Sequence, residues 1–233
     1  MQISLRDIVE ILHVSEPTIH RWIARDKMPC VKVNGQYHFN YIELLEWTLG
    51  HKINLTAEIL ALGEKENGHP GTLYHALKNG GIHYDVPGAN RTEALQALVD
   101  RLPMPAKINK EEMCGLLLRR EELMSTAIGG GIAIPHVRNP VVVQVQESAV
   151  ALCFLKGPVD FKALDGNPVS IVFGLLSSSV KEHLSLLARL AFCLQNSSLR
   201  QSLQQKSTPE QILGEIRILE SKLADRPKEK SSS

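Results

Sequence analysis

The sequence predicts an α/β domain, with helices packed on a mostly buried sheet, behind a small N-terminal unit of helix, tight turn, helix and hairpin. Three observations support this division. Residues 1–50 carry short amphipathic segments around one strong hairpin signal, Asn34-Gly35. Near residues 63–71 the apolar periodicity gives way to Gly, Asn, Lys, Glu and Pro. Beyond that point helical patterns interleave with apolar runs such as SAVALCFL (148–155) and VSIVFGLL (169–176), which lack polar alternation, as strands covered on both faces do.

The elements follow in order. Ser4 is a candidate N-cap with Asp7 at N3, and Leu5, Ile8, Val9 and Leu12 recur at helical spacing. Ser15 offers a second N-cap with Pro17 in the first turn, ahead of the stripe Ile19, Trp22 and Ile23. CVKVNGQYHF then reads as a two-stranded wing and YIELLEWTL as a third amphipathic helix. Residues 51–71 are expected to be a linker or a dimer helix. Further on, Thr92 is expected to cap a helix carrying Leu95, Leu98, Val99 and Leu102, which Pro103 stops. Asn109 with Glu112 opens another, carrying Met113, Leu116 and Leu117. SSSVKEHLSLLARLAFCLQ gives a long helix, and TPEQILGEIRIL one more, with Thr208 at N-cap, Pro209 at N1 and Gln211 at N3. The tail, 223–233, is expected to be disordered.

Composition sets bounds on function. The 233 residues hold 26 Lys and Arg against 25 Asp and Glu, so any basic surface must be local. The cysteines Cys30, Cys114, Cys153 and Cys193 are far apart and form no C-x-x-C pair, which argues against a disulfide framework and a structural zinc site. A reducing cytoplasm is the expected setting, with no metal or cofactor. The N-terminus reads as an amphipathic helix, and no apolar run approaches the ~18 residues of a membrane span.

The chemistry concentrates in GGGIAIPHVRNP, residues 129–140. Consecutive glycines permit positive φ and close backbone approach, and their N–H groups can cradle an anion, here expected beside His136. Pro135 biases Ile134 toward extended backbone, so the imidazole is expected at the end of a short strand. Arg120 falls seven residues after Met113, on the inward face of its helix, and Ser125 and Thr126 follow. A guanidinium and two hydroxyls suit a phosphoryl group on imidazole. His183 opens a helix whose Leu187, Leu190 and Leu194 share its face, so it is expected to point inward near a helix N-terminus, where anions are favoured.

RREELMSTAIGGGIAIPHVR (119–138) followed by KEHLSLLARLA (181–191) resembles the enzyme IIA domain of the phosphoenolpyruvate-dependent sugar phosphotransferase system, in its fructose/mannitol and nitrogen-regulatory branch. GGIHYDVPG (80–88) is similar to the nitrogen-regulatory forms, and the resemblance spans about residues 72–222. It implies a mixed sheet flanked by helices. It further implies that His136 accepts a phosphoryl group from an HPr-type carrier, with His183 as its active-site partner and Arg120, Ser125 and Thr126 at the phosphate site. Val137 departs from the small glycine that often follows the histidine and is expected to narrow access. Sugar-transporting members pass the group to a cysteine of a IIB domain, whereas nitrogen-type members regulate through protein contacts.

Residues 2–49 resemble the winged helix-turn-helix of the excisionase and MerR type. With Ile19, Trp22 and Ile23 inward, the second helix is expected to offer Ser15, Thr18, His20, Arg21 and Arg25 to a major groove, with Lys32, Asn34 and Gln36 on the wing. Pro17 to Gln36 holds four Lys/Arg and one acid, although residues 1–50 as a whole carry five Lys/Arg and six Asp/Glu. One copy is therefore expected to bind DNA weakly and a homodimer usefully. The competing reading of this head is a protein-binding or dimerising unit, since charged helix faces are commonly just solvated. For the chain as a whole three functions compete: a phosphorylation-dependent regulator with a DNA-binding head, a transport component that relays phosphate to a separate IIB, and a non-catalytic interaction module.

Overall fold

A computed structural model describes residues 2–51, 53, 71–137 and 145–224. The expected linker or dimer helix lies almost wholly outside the described residues, as does the expected disordered tail.

The head is built as β1 (Gln2–Ser4), α1 (Leu5–Leu12), α2 (Glu16–Arg25), β2 (Val31–Val33), β3 (Gln36–Asn40) and α3 (Tyr41–Gly50). Ser4 caps α1 reciprocally: its hydroxyl accepts from the Asp7 N–H at 3.3 Å, and the Asp7 carboxylate accepts from the Ser4 N–H at 3.1 Å. The Ser4 hydroxyl and amide bonds hold the Asp7 carboxyl below the usual range. Asn34 and Gly35 both take positive φ, 50° and 83°, as the two-residue hairpin turn demands. β1 was not expected. It pairs antiparallel with β3, so the wing grows into a sheet of order β1-β3-β2.

The larger unit continues with α4 (Leu73–Gly80), β4 (Ile82–Val86), α5 (Arg91–Val99), α6 (Lys110–Leu123), β5 (Ala127–Gly129), β6 (Ile132–Ala133), β7 (Ala149–Val159), β8 (Val169–Leu176), α7 (Val180–Leu194), α8 (Ser197–Gln204) and α9 (Pro209–Ala224). Its five strands run in the order β4-β7-β8-β6-β5. The sheet is mixed: β4 with β7 and β6 with β8 are parallel, while β7 with β8 and β5 with β6 are antiparallel. Val150, Leu152 and Phe154 of β7 enter one core with α4, α7, α8 and α9, and Ala149, Ala151, Cys153 and Leu155 enter the other with α5 and α6. Burial on both faces explains the missing alternation of these strands. It also pushes the Cys153 and Cys193 thiols up to about 12, so they stay protonated and inert.

Several boundaries differ from expectation. Asn90, not Thr92, caps α5, because its carboxamide oxygen accepts from the Glu93 N–H at 3.0 Å while Glu93 reaches back to the Ala89 N–H at 2.9 Å. Asn109 does cap α6, accepting from the Glu111 N–H at 2.8 Å. The Thr208 and Gln211 pair caps α9 from both sides. Elements α4, β4 and α8 had not been read from residue patterns.

The head rests on the larger unit through α7. Leu184, Ala188 and Ala191 are buried in the same apolar cluster as Ile8, Ile19, Phe39, Leu44 and Trp47, and α3 lies against α7 and β5. Leu186, Leu187, Leu190 and Leu194 face the sheet instead. A helix buried on both sides belongs between layers rather than on a surface.

One buried carboxylate closes the larger unit. Glu220 of α9, 6% exposed, accepts from the N–H groups of Leu73 and Tyr74 at 2.8 and 2.9 Å, and Arg189 of α7 donates to it at 3.1 Å. It thus neutralises the start of α4 while pinning three helices. Glu220→Ala takes a carboxylate partner from Arg189 and from two amides and is expected to destabilise the protein by about 3 to 5 kcal/mol, read as a lower urea midpoint.

Candidate functional site

The path of β6 decides which predicted residues meet. Gly129, Gly130 and Gly131 all have positive φ, 84°, 64° and 76°, and they form the β5–β6 hairpin turn. The Gly131 carbonyl accepts from the N–H groups of Ser170 and Ile171, at the start of β8. His136 pairs instead with Leu175, near the end of β8. At ~3.3 Å per residue the turn and the imidazole are on the order of 15 Å apart. The expectation that the glycines cradle an anion beside His136 is therefore corrected. The anion at this turn is the protein's own Asp165, which accepts from the Gly130 N–H at 2.8 Å.

At the other end of β6 the histidines converge. The Ile134 N–H donates to the Thr126 carbonyl at 3.0 Å, and the Leu175 N–H to the Pro135 carbonyl at 3.3 Å, which fixes the backbone on both sides. His136 Nδ1 lies 2.7 Å from the Ile134 carbonyl oxygen. A carbonyl only accepts, so Nδ1 carries a proton and donates it. The His183 ring stands 5.2 Å away, centroid to centroid, tilted by 50°. It sits in the first turn of α7, which the Ser179 hydroxyl caps by accepting from the Glu182 N–H at 3.1 Å, and its Nδ1 shares a 3.2 Å hydrogen bond with the Ser177 hydroxyl. His136 is 2% exposed and His183 1%.

Arg120 points inward, 6% exposed, and its Nη1 donates to the Met124 carbonyl at 2.8 Å. Thr126 adjoins Ile134 through the backbone bond above, so this segment lies at the same end of β6 as His136. Its hydroxyls, however, are engaged by Glu121. Thr126 Oγ1 donates to that carboxylate at 2.5 Å, and Ser125 Oγ lies 3.0 Å from it and 2.6 Å from the Phe161 carbonyl. Glu121, 3% exposed and 4.0 Å from Arg91 Nη1, was missed in the sequence because a Glu at a helix end normally reads as solvated. The Val137 side chain is buried in the core that includes residues of α5 and α6. Among the described residues no group of three or more His, Cys, Asp or Glu side chains is arranged to hold a metal ion.

On the head, His20, Arg21 and Arg25 of α2 are exposed, as are Lys32, Asn34 and Gln36 of the wing. Thr18 is half-buried, its hydroxyl 3.0 Å from that of Ser15. Tyr37 joins helix to wing: His20 meets its ring edge-on at 5.5 Å, and the Lys32 ammonium lies 5.3 Å from its centroid. One continuous polar surface results, with Val31 and Val33 exposed on its edge strand.

Comparison with known proteins agrees with both units. Residues 76–218 match the family described as phosphoenolpyruvate-dependent sugar phosphotransferase system, EIIA 2, and residues 3–52 match a helix-turn-helix domain. The nitrogen regulatory protein of Pseudomonas aeruginosa is 34% identical over 143 residues, 60% of this chain and 91% of that protein. The 2-O-alpha-mannosyl-D-glycerate-specific EIIABC component of Escherichia coli is 32% identical over 132 residues, 54% of this chain and 20% of that protein. The crystal structure of nitrogen regulatory protein IIA-Ntr from Neisseria meningitidis aligns with a TM-score of 0.51 at 29% identity, covering 67% of this chain and 99% of that one. The chain belongs to the EIIA 2 family of the phosphoenolpyruvate-dependent sugar phosphotransferase system, and it carries a helix-turn-helix domain ahead of the family domain.

Proposed function

We propose that this protein is a nitrogen-type IIA regulator of the cytoplasm, which accepts a phosphoryl group on His136 from an HPr-type carrier and couples that state to DNA binding by its head. The observation that carries the reading is the pinned imidazole. With the Nδ1 proton held by the Ile134 carbonyl, the Nε2 lone pair attacks phosphorus as the bond from phosphorus to the carrier's nitrogen breaks, and that nitrogen recovers the electron pair. The positive charge left on the ring is stabilised through Nδ1–H. His183, in the first turn of α7, hydrogen-bonds the transferred group, where the helix N-terminus favours negative charge. Arg120 complements the same charge. Ser125 and Thr126 act as phosphate-site residues by releasing Glu121 or by holding the 124–126 segment in place.

A transport role, with transfer to a separate IIB cysteine, is the second reading, and the likeness to a sugar-specific component favours it. Stoichiometric transfer from phosphorylated protein to a IIB domain would establish that role instead.

Mass measurement after incubation with phosphoenolpyruvate, enzyme I and a carrier tests the site. An acid-labile, base-stable adduct is expected on His136, and His136→Ala should abolish it. His183→Ala should slow transfer by about 10²-fold while leaving acceptor capacity. Full labelling of His136→Ala overturns the assignment.

For the head, the exposed row of Arg21, Arg25 and Lys32 supports duplex DNA as the partner, with His20, Asn34 and Gln36 beside it and two copies needed for useful affinity. Arg21→Ala is expected to cost about 1 to 3 kcal/mol if it reads a base, and Lys32→Ala to lower the salt slope by about 1 for all sequences. Unaltered titrations for both variants would assign the head to a protein partner.

Phosphorylation, adding roughly two negative charges, is expected to weaken DNA binding, and linkage makes the effect reciprocal. DNA should then shift the phosphotransfer equilibrium between carrier and His136 by the same factor, about 5- to 150-fold. Equal DNA affinities of the two forms would separate head from histidine.

A further inference from the structure

A phosphoryl donor must reach His136 Nε2 in line, yet the imidazole is 2% exposed and its neighbour His183 1%. The head packs on the elements next to this pair. Leu184, the residue after His183, is buried under the head, and so are Ala188 and Ala191 one and two turns further along α7. Side chains at i, i+4 and i+7 form one stripe, and two alanines in it let another helix approach closely. That helix is α3, which lies against α7 and also against β5. Those two elements flank the site: α7 carries His183, and β5 is the partner of β6, which leads to His136. The interface is apolar, and the polar surface of the head, with Arg21, Arg25 and Lys32, is exposed in this arrangement.

We propose that the docked head, with α3 laid across the Leu184–Ala188–Ala191 stripe of α7 and against β5, keeps the His136–His183 pair closed, so that phosphoryl transfer requires the head to lift. This rests on His136 as phosphoacceptor. Transfer itself is an exchange of one phosphorus–nitrogen bond for another, the carrier's breaking as that to His136 Nε2 forms, and it consumes no further reactant. Its product places roughly two negative charges on a residue that is 2% exposed and whose neighbour His183 is one position along α7 from the apolar head contact at Leu184, which costs free energy unless the charge is solvated. A phosphorylated His136 therefore favours the lifted head, and the docked head resists phosphorylation. Docking and phosphorylation are two ligands of the same helix with a negative coupling.

The test uses the full chain and a probe that does not depend on phosphotransfer. Diethyl pyrocarbonate acylates an accessible imidazole lone pair, and peptide mass mapping reads each histidine separately. Ala188→Glu and Ala191→Glu put a carboxylate into the head-facing stripe; Gln201→Glu, on the exposed face of α8, is the control. Both stripe variants are expected to raise acylation of His136 at least tenfold over wild type and control, while Cys153 and Cys193 stay unreactive to thiol reagents, which shows the sheet intact. The initial rate of carrier-dependent phosphorylation should rise with it. Unchanged His136 acylation in both variants, with the two thiols still protected, overturns the proposal, as does acylation that rises only when those thiols become reactive. Raised acylation without any phosphorylation in wild type or variant upholds the closure and overturns the phosphoacceptor reading, so the two failures are distinct.

Discussion

The site depends on the backbone of one residue, Ile134. Its N–H is committed to Thr126 and its carbonyl to the Nδ1–H of His136, so one residue fixes the strand register, the segment after α6 and the nitrogen of the imidazole that donates. Neither bond survives a slip of β6. Shifting a strand by one residue exchanges its faces, and here it would also exchange the carbonyl that selects the tautomer. Pro135 contributes by having no N–H of its own, while its carbonyl takes the Leu175 amide from β8. A strand of two residues, Ile132–Ala133, thus positions the His136 imidazole because it is held on both edges.

Buried carboxylates secure what the strands leave loose. Glu121 gathers the Thr126 amide and the hydroxyls of Ser125 and Thr126, which stiffens the connection from α6 into β5. Glu220 does the same for α4, α7 and α9 on the opposite face of the sheet. Both are multiply hydrogen-bonded and close to an arginine, the condition under which an ionised group is tolerated away from water. Arg120 follows the same logic through the Met124 carbonyl. The polar groups of the 120–126 segment are therefore held by neighbours that belong to the core.

Much of this was legible in the residues. Caps at Ser4, Asn109 and Thr208 follow from local hydrogen bonding, which a sequence records directly. His183 was placed inward by its spacing to Leu187, Leu190 and Leu194, and all four are buried. The glycine turn was misplaced because adjacency along a chain is not adjacency in space: an extended strand carries His136 far from Gly131. Glu121 and Asp165 were missed for a related reason, since a carboxylate with a long-range backbone or hydroxyl partner looks the same in sequence as a solvated one. The expectation of Thr92 as the cap overlooked the Asn90–Glu93 spacing, which fits the reciprocal arrangement. Elements β1 and β4 are short, and their identity comes from the strands that accept them, β3 and β7.

The packing of α7 was the least legible feature and the one with the widest reach. Its sequence shows leucines and alanines on most faces, which by period alone cannot distinguish a helix covered on one broad face from one covered on two. The structure divides them: Leu187, Leu190 and Leu194 go to the sheet, Leu184, Ala188 and Ala191 to the head. Interiors pack densely and respond to strain as discrete rearrangements rather than graded deformation. A helix with two such faces transmits a change at its N-terminal turn to whatever it supports. His183 is in that turn, Leu184 follows it, and the head's own core closes over Leu184. The histidine pair and the helix-turn-helix domain consequently share a structural member, α7, which carries His183 in its first turn and the head-facing Leu184, Ala188 and Ala191.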